Sequence, residues 1–205
     1  MYDGYRLVRK KYFRKALHII DLFHAVKLLT KAVTVLRVRA MNRLEKGSLE
    51  YNFMKSHWKL FLCRKKDIPD RFYTSRKTGE IFHYDDMVFR CVLKDKDLLE
   101  AWNALQDLYR YDESGTFQEA WTFISHIAER LMVSGNAILE EAGRSYRKWA
   151  AEIASGIAKS QSGRRYTNSI AETDNNHLKT IIKTAYGYRN FERFRKRALI
   201  IITYK

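Results

Sequence analysis

Arg164-Arg165-Tyr166-Thr167-Asn168-Ser169-Ile170-Ala171-Glu172-Thr173-Asp174-Asn175-Asn176-His177-Leu178-Lys179 is the stretch whose reading decides this chain, with Ala185-Tyr186-Gly187-Tyr188-Arg189-Asn190-Phe191-Glu192-Arg193-Phe194-Arg195 close behind it. At about 100° per residue, Glu172, Asn175, Asn176, Lys179 and Lys183 fall within one helical stripe. Leu178, Ile181, Ile182 and Ala185 fall opposite and are expected to face a core. A carboxylate beside amide and cationic side chains suits a metal ligand next to a nucleic-acid backbone. An ordinary amphipathic helix with a solvated polar face gives the same spacing. Spacing alone leaves both readings open.

A second block lies near the start. Leu17-His18-Ile19-Ile20-Asp21 reads as a short buried strand ending in a carboxylate, and Phe23-His24-Ala25-Val26-Lys27 then opens a helix. On that helix His24, Lys27 and Lys31 share one face, which leads from the carboxylate toward a place for a backbone.

Together the blocks resemble the bacterial insertion-sequence transposases of the ISL-three family. Their pattern runs Ser-Asn-Gly-x-x-Glu-Gly-x-Asn-x-x-x-Lys and then Ala-Tyr-Gly-Tyr-Arg-Asn-Phe-x-x-Phe-Arg. Asn168, Glu172, Asn175 and Lys179 keep their places, and Ala185 to Phe191 with Phe194 and Arg195 match almost letter for letter. Ser169 and Thr173 stand where the family usually has glycine, so a tight turn or close approach there must do without that residue's freedom. The early block is similar to the family's Asp-x-Phe-His-x-x-Lys segment, and Met1-Tyr2-Asp3-Gly4-Tyr5 to Asp-Met-Tyr-x-x-Tyr without its leading Asp. The resemblance runs from Met1 to about Phe194.

The resemblance implies the C-terminal part of a ribonuclease H-like α/β core bearing an Asp-Asp-Glu triad, interrupted by a large helical insertion. The family's zinc-binding segment, helix-turn-helix and first acid are not found, and the missing Asp before Met1 is assigned as the second acid. The chain is therefore expected to be a C-terminal fragment, from a truncated gene, an internal start or an incomplete record. Glu172 is expected to be the third catalytic acid and a metal ligand. Asp21 is either a further, metal-proximal acid that shares in catalysis and metal binding or the partner of a structural hydrogen bond with His24. His24 and Asn168 are expected to orient the site.

Transposition hydrolyses a phosphodiester to expose a 3′-hydroxyl, which then attacks target DNA. Two magnesium or manganese ions about 4 Å apart activate the nucleophile and stabilise the leaving oxygen. Hard cations prefer oxygen ligands, which is why carboxylates are needed. The complete active site is expected to take two ions, and this chain alone to hold neither. The expected partners are double-stranded DNA, at insertion-sequence ends and at the target, and further copies of the full-length protein. The other reading is a catalytically inactive, basic helical chain that binds DNA or a full-length transposase.

Composition fits that class. The chain has 205 residues and 46% hydrophobic content, enough for one core. Pro69 is its one proline, which favours helices. Cys63 and Cys91 form no Cys-x-x-Cys pair, so neither zinc nor a disulfide framework is indicated. There is no signal-peptide pattern at the start, and the longest apolar run, Ala198 to Ile202, is too short to span a bilayer. A bacterial cytoplasm, beside the nucleoid, is the expected compartment.

The net charge of +16 is unevenly placed. Residues 1–46 hold 12 basic and 3 acidic side chains (+9), residues 164–205 hold 10 and 3 (+7), and residues 47–163 hold 17 of each. The excess lies in the two motif-bearing segments, as phosphate binding asks. These boundaries divide the chain into a core strand-and-helix segment at 1–46, a helical insertion at 47–163 and C-terminal core helices at 164–205. The insertion separates Asp21 from Glu172 by 151 residues.

The pattern predicts a mainly α chain with one or two short strands. Helices are expected near 4–15, from 22 to about 45, and at 49–64, 85–94, 96–111, 116–132 (capped by Ser114 or Thr116), 136–159 (started by Asn136) and 190–202 (capped by Asn190), with a loop at 67–84 and a polar linker at 161–163. The insertion's Trp58, Trp102, Trp121 and Trp149 read first as core residues and second as rings for DNA stacking. Tyr186, Tyr188, Phe191 and Phe194 interleave with Arg189, Arg193, Arg195 and Arg197, so the rings either stack on bases or pack the last helix while the arginines meet phosphates. The expected DNA contacts are Lys27, Lys31, Asn175, Lys179, Lys183, Arg189, Arg193 and Arg195.

Overall fold

The computed structural model describes residues 3–75, 78–111, 115–158, 169–185 and 187–203, without the side chains of 169–172 and 202. Its residues form two compact units, Met1–Tyr166 and Thr167–Lys205. The expected linker at 161–163 and Asn168 lie outside the described residues.

The first unit is a helical assembly around α2. In order it has α1 (Asp3–Tyr12), α2 (Leu22–Asn42), α3 (Leu49–Ser56), two 3-10 turns, β1 (Phe72–Thr74), β2 (Ile81–His83), α4 (Tyr84–Val92), α5 (Lys96–Arg110), α6 (Phe117–Met132), α7 (Ala137–Lys148) and α8 (Ala150–Ile157). Helix α2 buries Ala25, Leu29, Ala32, Val33, Leu36 and Ala40 and packs against α3, α5, α7 and α8. Helix α6 packs on α7 and α8. Local chemistry starts these helices where the sequence expects. Ser48 Oγ accepts from Tyr51 N–H, Thr116 and Glu119 form a reciprocal capping box, and Asn136 Oδ1 accepts from Ile138 N–H.

Three expectations change. Leu17–Ile20 is not a strand. Its Ile20 N–H donates to the Glu152 carbonyl of α8 at 2.9 Å, so a helix supplies the partner that a neighbouring strand would supply. The strands lie instead within the expected loop, where Phe72, Tyr73 and Thr74 pair antiparallel with His83, Phe82 and Ile81. The long helices expected at 49–64 and 136–159 are each broken, the first at His57 and the second at Trp149. Among the described residues the fold is nonetheless mainly helical with one two-stranded hairpin, as the sequence predicts.

The break at Trp149 seats α8 on the segment before α2. Gly156 lies against the Ile20 carbonyl so closely that a Cβ there would overlap its oxygen. Tyr146, fully buried at the end of α7, donates its hydroxyl to the Ala25 carbonyl at 2.6 Å. The start of α2 is thereby fixed from two neighbours.

The second unit consists of α9 (Ser169–Thr184) and α10 (Phe191–Thr203), which contact each other. Gly187 turns the chain between them with φ of 95°, and its N–H donates to the Ile182 carbonyl at 3.0 Å. That backbone conformation suits a residue without a Cβ.

Candidate functional site

Glu172 lies in the first turn of α9, as expected for an acid carried near a helix start. Beyond it, Asn175, Asn176, Lys179 and Lys183 are all exposed, while Ile181 is buried and Leu178 and Ala185 are half-buried. The polar stripe read from the sequence is therefore a surface of this helix. Ile182 departs from the expectation: it is 45% exposed, because at one residue past Ile181 it sits about 100° round the helix from the buried line. Ser169 opens α9 and Thr173 lies inside it, so the helix forms with both residues in place of glycine.

At the other helix of this unit, Asn190 Oδ1 accepts from the N–H groups of Glu192 and Arg193, at 2.9 and 3.2 Å. This is the N-cap that the sequence anticipates. Arg189, Arg193, Arg195 and Arg197 are exposed, and Arg195 pairs with Glu192 at 3.3 Å. Phe194 lies with ring centroids 5.3 Å from Tyr188 and 6.3 Å from Phe191. These three rings thus gather among themselves, with Phe194 half-buried and Phe191 left 69% exposed, and Tyr186 lies outside the described residues.

In the first unit, Asp21 is the N-cap of α2, its Oδ1 accepting from Phe23 N–H at 2.9 Å, and its backbone carbonyl accepts from His24 N–H at 3.0 Å. The cap satisfies a helix donor that otherwise lacks a partner, and it sits at the positive end of the helix dipole, a setting that suits a carboxylate better than a cation. His24, Lys27 and Lys31 are exposed along one face of α2, and the His24 ring meets Phe23 edge-on at 5.6 Å. Asp21 and its cationic face belong to the first unit, Glu172 and its own to the second. Among the described residues no group of three His, Cys, Asp or Glu side chains gathers as a metal site.

The tryptophans divide evenly. Trp102 and Trp149 are buried, as the core reading holds, whereas Trp58 and Trp121 are exposed at 42% and 41%.

Sequence reading passed over a basic cavity of about 610 Å³ in the first unit. Arg64, Lys65, Lys66 and Arg110 line it with Trp102 and Tyr109. Asp85 also lines it, and its hydrogen bond to His83 lowers its pKa from the ordinary carboxylate value. Gln106 sets part of the wall, its Oε1 accepting from Lys65 N–H at 2.8 Å and its Nε2 donating to the Cys63 carbonyl at 3.0 Å. The run Arg64-Lys65-Lys66 was a visible signal, hidden by the neutral sum of the segment around it.

Comparison with known proteins gives one match to a family, and no curated protein and no solved structure matches. The family model, described as a transposase of the Asp-Asp-Glu, ISL-three type, matches residues 1–198. That span takes in the Asp21 block, the helices between and the Glu172 block, and on it the chain belongs to the ISL-three transposase family.

Proposed function

We propose that this chain acts on DNA as part of a two-metal transposase, with Glu172 as a metal-binding acid and the polar faces of α9 and α10 as a phosphate-binding surface. The observation that carries this reading is the exposed row Asn175, Lys179 and Lys183 on the helix that bears Glu172, within the span matched by a transposase family. Arg189, Arg193 and Arg195 extend the surface, and Lys27 and Lys31 make a second basic row on α2. Asn168 and His24 are assigned as orienting groups. The surrounding ribonuclease H-like core, and the division into core segments at 1–46 and 164–205 with an insertion at 47–163, belong to the same proposal. DNA places its work in the bacterial cytoplasm, and transposition of both ends favours an oligomer.

The oxygen donors Asp21 and Glu172 are of the kind magnesium or manganese takes. Two such ions supply activation of the attacking oxygen and charge stabilisation at the leaving one. Glu172 offers its carboxylate from a helix start. Asp21 has one oxygen engaged in capping α2, and a full triad requires a further acid. That capping role favours a second reading, in which this chain by itself binds DNA or a full-length transposase without cutting.

Titration with duplex DNA at several salt concentrations tests the binding. If about six phosphates are neutralised, log K falls against log salt with a slope of about −5. Arg193→Ala and Arg195→Ala each weaken binding modestly and equally across sequences. Salt-independent affinity sinks the phosphate surface. The chain alone is expected to show no magnesium-dependent cleavage. In a protein carrying the complete set of acids, Glu172→Gln abolishes cleavage and strand transfer while leaving DNA binding nearly unchanged, and full activity of that variant removes Glu172 from the site.

A further inference from the structure

None of the six strand residues of the hairpin is buried: Tyr73, Phe82 and His83 are half-buried, and Phe72, Thr74 and Ile81 are exposed. An element so lightly packed depends on a few specific contacts to stay closed on its neighbours. Two of those contacts end in a histidine, and their geometries require opposite charges.

The first is His57, at the end of α3. Its ring stacks on Phe53 at 4.7 Å and meets Tyr73 of β1 and Tyr84, directly after β2, edge-on at 5.4 and 5.1 Å. Ser56 Oγ lies 2.7 Å from Nδ1 and donates its own proton to the Asn52 carbonyl at 2.7 Å. Nδ1 must then be the donor, which leaves Nε2 to accept from the Tyr84 hydroxyl at 3.2 Å. That pattern is the neutral imidazole. None of these four neighbours is anionic, and burial lowers the ring's proton affinity further.

The second is His83 in β2. Its Nε2 lies 2.5 Å from Asp70, ahead of β1, and its Nδ1 is bonded to Asp85 in the first turn of α4. Ionised carboxylates accept and do not donate, so both ring nitrogens carry protons and the ring is a cation. Phe72 of β1 adds an edge-on ring at 5.3 Å. The further charges close by are Lys65, which acts on Asp85, Asp86, whose N–H donates to Asp85 at 2.7 Å, and Arg90, 5.4 Å over the Phe82 ring. When the His83 ring loses one proton, one of its two carboxylates loses its donor.

We propose that the β1–β2 hairpin is a pH-gated element, closed on α3 and α4 while His57 is neutral and His83 charged, and released by acid through the first and by alkali through the second. The His57 contribution is complete above the ordinary histidine value near 6.5 and is lost as pH falls through its lowered value. The His83 contribution is complete below 6.5 and is lost as pH rises through its raised value. The two overlap around the ordinary value, where the hairpin is tightest. Release uncovers the Phe53 ring that Tyr73 meets edge-on at 5.2 Å, and it leaves the helical core closed because no strand residue is buried there. The device is independent of the metal chemistry and the DNA surface proposed above.

Amide hydrogen exchange on the whole chain tests it, read at Ser75 N–H, which donates to the Glu80 carbonyl at 2.8 Å, and at Tyr84 N–H, which donates to the Arg71 carbonyl at 3.0 Å. Observed rates divided by the intrinsic rate at each pH give an opening constant, followed from roughly pH 5 to roughly pH 9. That constant should be smallest between the two ends. It should rise about threefold to tenfold toward acid, as the His57 bonds are lost, and about twofold to fivefold toward alkali, as the His83 pairs are lost. His57→Phe keeps a ring that cannot charge, and should abolish the acid limb alone. His83→Gln, at a half-buried position, should abolish the alkaline limb alone. If His57→Phe fails to fold, Tyr84→Phe deletes only the hydroxyl that Nε2 accepts from, and should move the acid limb to higher pH. Amides of α5 should not follow the curve. A flat or one-sided curve in the unaltered chain, a limb that its own substitution leaves in place, or the same curve at α5 overturns the proposal.

Discussion

His57 and His83 show how much a side chain's surroundings decide at the scale of one residue. His57 stacks on Phe53 with centroids 4.7 Å apart, and burial holds its proton affinity below the ordinary value near 6.5. His83 stands between Asp70 and Asp85, whose hydrogen bonds raise its affinity. The two therefore contribute in opposite pH windows. The His83 contribution is complete below the ordinary histidine value and disappears as pH rises through its raised value, whereas the His57 contribution is complete above the ordinary value and disappears as pH falls through its lowered one. NMR titration should place the His83 midpoint above 6.5 and the His57 midpoint below it. Asp70→Asn should move His83 downward, and equal midpoints in the unaltered chain sink the assignment. The cysteines separate likewise. Cys91 is buried with its thiol pushed up to about 12, so a thiol reagent should modify half-buried Cys63 first and reach Cys91 only on unfolding. Single residues with local work were legible in the sequence. Asn190 caps as read, and of the two caps read for α6, Ser114 or Thr116, it is Thr116 that serves, because capping depends on the next three residues alone. Asp21 was legible as a carboxylate at a boundary, but its bond to Phe23 N–H became visible only with the backbone in place.

Among the elements, α2, α5 and α6 were read as single helices, whereas the runs expected at 49–64 and 136–159 each hide a break, at His57 and Trp149, and the three-residue strands were missed. Helices α2, α5 and α6 carry enough turns for a stripe to declare itself, and the exposed row of α9 follows the same logic. Leu17–Ile20 has the composition of a strand, yet its partner is the Glu152 carbonyl, and no local pattern announces a contact across that distance. The hairpin of Phe72–Thr74 and Ile81–His83 is only three residues on each side, too short for alternation to emerge from the surrounding turn residues. Gly156 makes the long-range contact testable. In an ordinary helix interior, glycine to alanine gains about 1 kcal/mol. Here the new methyl meets the Ile20 carbonyl oxygen, so Gly156→Ala should destabilise by about 1–3 kcal/mol. In a chain of this size each kcal/mol lowers Tm by about 2–4 °C, which thermal unfolding can read. A variant as stable as the parent shows that the Ile20 segment yields at no cost. Gly187→Ala is a different case. Nothing lies within 4 Å of its added Cβ, so its cost comes from φ of 95° alone, about 1 kcal/mol.

For the whole molecule, charge was the most legible property, since summing it needs no structure. The +9 and +7 of the two motif-bearing segments correspond to lysines and arginines on and just after α1, on α2, and on α9 and α10, most of the described ones exposed. The same summing concealed the cations around the cavity, because neutrality over residues 47–163 says nothing about which signs share a surface. Among the described residues no helix is long and apolar enough to cross a membrane.

Helix α1 stands apart from this core. It buries none of its residues, and Arg6 carries much of its attachment, through Glu152 at 2.5 Å and a guanidinium 4.2 Å from the Trp149 ring centroid. Lys148 adds a bond to Asp3 at 2.6 Å. Ion pairs at partly wetted positions hold weakly and yield to salt, whereas apolar burial does not. The N-terminal ten-residue helix is thus a separately melting piece of the first unit. Its amides should exchange with deuterium orders of magnitude faster than those of α2, and faster again in 1 M salt. Trypsin should find Lys10, Lys11, Arg14 and Lys15 before any site in the core, and Arg6→Ala should hasten that first cut while leaving the global unfolding transition nearly where it was. Equal protection of α1 and α2 refutes the idea. The surface that α1 covers, around His18, Glu152 and Trp149, is then one that the protein uncovers and covers again many times without ever unfolding.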